Sequence, residues 1–164
     1  MSSGKLRVVF DCNIYWRAFF YSKGLGCECK KLIDKGKILH FLSGEIVAEV
    51  TEVLARPSTL EKFPTARVEG VHRFVKEMLA RSIFVANVPS RVELPLDTKD
   101  EPYLNLAVEV NADYIVTTDN DLLDFMTGGD LDSKHFRQRF RPLRVVTPRE
   151  FLDIVVSREL LLKP

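Results

Sequence analysis

The sequence predicts an α/β fold, a parallel sheet with crossover helices packed on it, and three features point there. Apolar runs without polar alternation recur along the chain, as in VVF at residues 8–10 and ADYIVTT at 112–118, which is how strands covered on both faces read. Segments of helical period separate these runs. Two of the runs stop at carboxylates, Asp11 and Asp119, and ligands of open α/β sheets bind outside the carboxyl ends of the strands.

With 164 residues, 46% of them hydrophobic and 29% charged, the chain is expected to form one domain over 1–164 with a sizeable core. Twenty-four Lys and Arg against 23 Asp and Glu leave a formal charge of +1, so any polyanion contact must come from a local patch. The opening MSSGKL holds no apolar leader segment, and no later run approaches the roughly 20 apolar residues that span a bilayer. A cytoplasmic location without membrane contact is the expectation. Cys12, Cys27 and Cys29 form no CxxC pair, which suits a reducing compartment. His40, His72 and His135 lie at no ligand-like spacing from them, which argues against zinc.

The first strand ends at Phe10 within LRVVFDCN, residues 6–13. A helix follows over 14–21, where Trp16, Phe19 and Phe20 repeat at helical spacing before Gly24 and Gly26 break it; the stripe reads as core rather than as a base-stacking platform. A short helix over about 27–35 stops at Gly36, and 38–42 read as a second buried strand. Ser43 supplies an N-cap and Pro57 a stop for a helix over roughly 45–56. At about 100° per residue, its Ile46, Val47, Val50, Val53 and Leu54 fall in a stripe about 120° wide that must face the core. Glu49 lies only about 40° from that stripe, against about 80° for Glu45 and about 100° for Glu52, so Glu49 is the acid best able to reach inward.

Thr65 is expected to cap a long amphipathic helix over 66–81, with a third strand at 83–88 and a loop at 89–95. LDTKD, residues 96–100, precedes Pro102, which starts a helix through about residue 110. Continued backward, the helical angle puts Asp100 between Leu104 and Ala107 on the buried side, a costly place for a carboxylate without a cation. The fourth strand, 112–118, leads to Asp119 and Asp121 and a short helical segment over 122–126. Residues 127–141 hold Gly128, Gly129 and KHFRQRFR, with two readings open: a patch that grips a phosphate backbone through Lys134, Arg137, Arg139 and Arg141, or a solvated loop anchored by Phe136 and Phe140. Residues 143–146 are the fifth strand, and Thr147, Pro148 and Glu150 open a last helix with a capping box.

If the strands that carry Asp11 and Asp119 are neighbours, four carboxylates, Glu49 and Asp100 included, converge on one sheet edge. Like charges at close range raise one another's pKa strongly, so such a cluster calls for a cation. All-oxygen ligation without His or Cys favours Mg²⁺ or Mn²⁺ over Zn²⁺. Sites of this kind commonly serve displacement at phosphorus, with one ion, or two at ~3.5–4 Å, activating water and neutralising the leaving oxygen. Asn13 and Thr117 or Thr118 are suited to orienting ligands or waters without adding charge. The chain lacks GxGxxG, GxxxxGK[ST] and GxSxG, which removes dinucleotide, P-loop and α/β-hydrolase readings.

VVFDCN, EIVAEVTEVLARP, DTKDEPYLNLAVEVNADYIVTTDNDLL and VVTPREFL, in this order and spacing, resemble a PIN-domain protein of the prokaryotic branch of toxin-antitoxin toxins, over residues 6–152. The resemblance implies a Rossmann-like, three-layer α/β/α sandwich around a mostly parallel sheet, and Mg²⁺- or Mn²⁺-dependent endoribonuclease activity on RNA. It carries the family's four acids onto Asp11, Glu49, Asp100 and Asp119 as catalytic and metal-holding residues, the hydroxyl before the last acid onto Thr117, and an accessory acid onto Asp121. A cognate antitoxin in the acidic groove and a homodimer are implied with it. Cys12 departs from the family's usual Thr, which bears on local hydrogen bonding, and the basic segment 128–141 is a second departure, which bears on substrate approach. Two other readings compete. A phosphatase with Asp11 as nucleophile wants a second Asp where Asn13 stands, and a catalytically silent PIN-like module that binds RNA or protein has no need of all four acids.

Overall fold

The structure, a computed structural model, describes residues 4–92 and 98–163. The expected loop over 89–95 and the LDTKD stretch fall partly outside the described residues, Asp97 among those outside. Strands β1 (Arg7–Phe10), β2 (Leu39–Ser43), β3 (Ile83–Val85), β4 (Tyr114–Val116) and β5 (Arg144–Val146) form one sheet in the order β3-β2-β1-β4-β5. Every pairing is parallel, with Val8 opposite His40 on one side and Tyr114 on the other. The central β1 is the most buried: Val8, Val9 and Phe10 are all within 1% of complete burial, as a strand without polar alternation requires.

Helices α1 (Cys12–Phe20) and α2 (Leu25–Asp34) link β1 to β2, while α3 (Gly44–Leu54), α4 (Pro57–Leu60) and α5 (Val68–Arg81) link β2 to β3. One 3-10 turn, Thr98–Asp100, and α6 (Glu101–Glu109) lead into β4; α7 (Asn120–Thr127) and α8 (Leu131–Arg139) lead into β5, and α9 (Pro148–Leu162) follows. The chain runs outward from β1 to β3, then returns past β1 and runs outward the other way. Right-handed crossovers in opposite directions put their helices on opposite faces, which produces the three-layer α/β/α sandwich. The reversal falls between β1 and β4, where the carboxyl ends of two neighbouring strands leave a crevice.

Local chemistry explains most boundaries. Ser43 accepts a hydrogen bond from the Ile46 amide at 3.4 Å to start α3, and Thr147 with Glu150 forms the expected capping box of α9. Gly36 follows α2 with φ of 65°, a left-handed conformation that glycine adopts without strain. A Cβ on Gly26 would approach the Arg17 Cβ to 2.7 Å, so the glycine lets α2 sit against α1. Trp16 and Phe20 gather with Phe63, and Phe20 and Phe63 stack at 4.4 Å, which makes the aromatic stripe a packing surface between helices.

One expectation is extended and three need correction. Pro57 stops α3 but also occupies the first turn of α4, where its missing N–H costs nothing. Thr65 caps no helix: α5 begins at Val68, and Arg67 precedes it without a side-chain cap. The basic segment is not a loop. Asp130 accepts from the Ser133 amide at 3.1 Å and from its hydroxyl at 2.6 Å, and that cap sets off α8 three residues after Gly128. The third strand also ends early, at Val85, before Asn87 turns the chain with φ of 56°. Among the described residues no helix is long and apolar enough to cross a membrane.

Candidate metal centre

Asp11 leaves the sheet at the end of β1 and is the N-cap of α1. Its Oδ1 accepts from the Cys12 amide at 2.7 Å; its Oδ2 accepts from the Thr117 hydroxyl at 2.6 Å and from the Asn13 side-chain amide at 3.4 Å. The carboxylate thus ends a strand and caps a helix at once. Thr117, fully buried, sits one residue beyond β4, and its Oγ1 also accepts from the Asp119 amide at 2.9 Å. One hydroxyl therefore ties the ends of the two strands together. Asn13 Oδ1 accepts from the Thr118 amide at 3.4 Å and reinforces the same junction.

Asp100 closes the 3-10 turn and precedes α6, only 6% exposed, on the buried side that helical spacing assigns to it. Asp119 caps α7 by accepting from the Asp121 amide at 2.9 Å. Asp11, Asp100 and Asp119 each offer a carboxylate oxygen, and the three oxygens all lie within 4.8 Å of one another. They come from three elements and meet at the crevice between β1 and β4. Asp121 is exposed on the first turn of α7, outside this trio.

Glu49, half-buried on α3, stands beside the trio rather than in it, and its Oε1 accepts a hydrogen bond from the Tyr103 hydroxyl. Tyr103 is a residue that sequence reasoning passed over. Within EPYLNL it reads as core, and it is buried to 1%; its position three residues after Asp100, on the same side of the helix, was the available signal.

The electrostatics are those of crowded acids. Burial holds the Asp11 carboxyl above its ordinary value; the bonds from Thr117 and Cys12 oppose this, and the charges of Asp119 and Glu49 add to it. Burial, with Glu49 and Asp11 nearby, pushes the Cys12 thiol up to about 12, so this sulfur stays protonated and adds no charge. Burial also raises the Tyr103 phenol far above its ordinary value, which keeps it a donor toward Glu49.

The basic residues of 134–141 divide. Arg137 donates to the carbonyls of Phe125 at 2.7 Å and Gly128 at 2.9 Å, which ties α8 to the end of α7. Lys134, Arg139 and Arg141 are exposed, with the Arg139 guanidinium 5.1 Å from the Phe140 ring centre.

A family model described as "PIN domain" matches residues 7–121, which include all four acids and Asp121. The chain belongs to the PIN-domain family. This agrees with the resemblance in the sequence and with the parallel sheet, and it places the chain in a superfamily of metal-dependent nucleases. A PIN-domain assignment also gives the acidic trio its family context. An uncharacterized protein of Methanocaldococcus jannaschii, MJ1680, is 26% identical over 155 residues, covering 93% of this chain and 94% of the relative.

Proposed function

We propose that this PIN-domain chain is a divalent-metal-dependent endoribonuclease that hydrolyses RNA phosphodiester bonds. The observation that carries the reading is the convergence of Asp11, Asp100 and Asp119, from three separate elements, within 4.8 Å. The charges felt by the buried Asp11 are those of Asp119 and Glu49, both of its own sign, so the set fits a cation. The donors are all carboxylate oxygens, which favours Mg²⁺ or Mn²⁺ over Zn²⁺. Asp11, Asp100 and Asp119 would hold the ion, and Glu49 and Asp121 would complete its surroundings. When bound, such an ion lowers the pKa of a coordinated water and offsets charge on the phosphoryl oxygens.

The chain's own groups would do the rest. Thr117 and Asn13 hold Asp11 Oδ2 in one orientation, so the carboxylate meets its ligand without rearranging. Lys134, Arg139 and Arg141 would draw the phosphate backbone toward the crevice through salt-sensitive contacts. Asn13 stands where an aspartyl-phosphatase needs its second acid, which disfavours that chemistry. The family resemblance further suggests a toxin of a toxin-antitoxin pair acting in the cytoplasm, with an antitoxin over the acidic groove and a homodimer as its state.

The decisive experiment incubates the chain with RNA and Mn²⁺ and follows cleavage by electrophoresis. Cleavage is expected to stop with EDTA and with Asp11→Asn, while the circular dichroism spectrum of the variant stays native. Cleavage that survives the substitution would sink the assigned centre.

A further inference from the structure

Glu49 and Tyr103 meet where α3 packs against α6. The Tyr103 ring is sealed in the core, and its hydroxyl, the only polar atom of the side chain, donates to Glu49 Oε1. A buried hydroxyl without a partner is costly, so core packing and this bond together fix the donor. The carboxylate, in contrast, sits on a half-exposed side chain with three rotatable bonds, next to acids that repel it. Left alone it would turn toward water, and fixing such a side chain costs rotamer entropy. Arg56, two residues past the end of α3, feels the Glu49 charge but hydrogen-bonds elsewhere, its guanidinium engaged by both oxygens of Glu52 at 2.9 Å.

We propose that Tyr103 is a positioning residue that holds Glu49 at the acidic crevice, committing Oε1 to the phenol and presenting Oε2 to the cation or to a water bound on it. The assignment rests on the metal-centre reading above. It makes α6 doubly involved: its start carries Asp100, and one turn later it carries the group that steadies a fourth acid contributed by α3. It also gives the Cys12 position a neighbour, since the phenol is close enough to influence that sulfur.

The test is Mn²⁺ titration of the full chain by calorimetry, beside thermal melts without metal. Tyr103→Phe removes one oxygen and keeps the ring; it is expected to weaken Mn²⁺ binding about 10- to 100-fold, the usual effect of losing a ligand's orienting partner. Glu49→Asp, which keeps the charge but falls a methylene short of the phenol, should weaken it comparably and stands in for Tyr103→Phe if that variant does not fold. If Tyr103 acts through Glu49, the double variant Tyr103→Phe/Glu49→Gln binds no more weakly than Glu49→Gln alone. Natural affinity in both Tyr103→Phe and Glu49→Asp overturns the assignment, as does a fully additive double variant. Asp11→Asn separates the two levels. Affinity lost there but kept in Tyr103→Phe and Glu49→Asp removes only the positioning role, whereas affinity kept in Asp11→Asn removes the centre itself and this inference with it.

Discussion

Thr117 shows how much a single hydroxyl can organise. It donates to Asp11 and accepts from the Asp119 amide, so Thr117→Val, nearly the same shape, leaves a buried carboxylate oxygen and a backbone N–H short of partners. A loss of about 1–3 kcal/mol is expected in urea denaturation without metal, although the position touches no apolar core function. His40 supplies a second test. Its imidazole, buried to 1% between the Tyr15 hydroxyl at 2.6 Å and the Ser82 hydroxyl at 2.5 Å, is held down to about 3 by burial. The unfolded chain takes up this proton near pH 6.5 while the folded one refuses it, so stability is intact above about pH 6.5 and is lost as pH falls toward 3. The slope from this residue is about 1.4 kcal/mol per pH unit, and His40→Gln should flatten the urea-derived stability between pH 6 and pH 4.5 by comparison with the natural chain.

The helices separate what a sequence displays from what it hides. Asp11 and Asp119 were legible because each ends an apolar run, and Glu49 because its angle from a core stripe can be computed. Tyr103 was not, since a tyrosine amid apolar neighbours looks like packing until its partner on another helix is known. α8 was hidden for a different reason. Two glycines precede it and its residues are mostly polar, with Leu131 and Phe136 the only apolar ones, so no apolar stripe announces it; its start rests on the Asp130–Ser133 cap and its docking on Arg137. Arg137→Ala, which gives up two charge-assisted bonds to carbonyls, should destabilise the fold by about 1.5–3 kcal/mol, while Lys134→Ala on the same helix stays within about 0.5 kcal/mol. The contact between α1 and α2 makes a comparable prediction. Gly26→Ala forces a methyl to within 2.7 Å of the Arg17 Cβ and 3.1 Å of the Ala18 amide nitrogen, and denaturation should register a cost of about 1–3 kcal/mol.

The molecule as built keeps a buried carboxylate among like charges, a position that favours the protonated acid and works against folding at neutral pH. A raised carboxylate pKa subtracts stability as pH rises past the ordinary value, and a cation bound only by the folded chain returns it. At a Mn²⁺ concentration 100 times the dissociation constant the gain is about 2.7 kcal/mol, or roughly 5–10 °C in melting temperature for a chain of this size. Differential scanning calorimetry with Mn²⁺ and then EDTA measures it, and the shift should vanish in Asp11→Asn. Strand order has a further consequence, for synthesis. Of the five strands, the earliest in the chain becomes the centre of the sheet, and Asp11 waits for a hydroxyl 106 residues further along the chain. Parallel pairing over such a span is slow to form and closes late. A nascent chain that has not yet emerged past Asp119 therefore carries only fragments of the acidic trio, and the centre is assembled only once the end of β4 is free to pair.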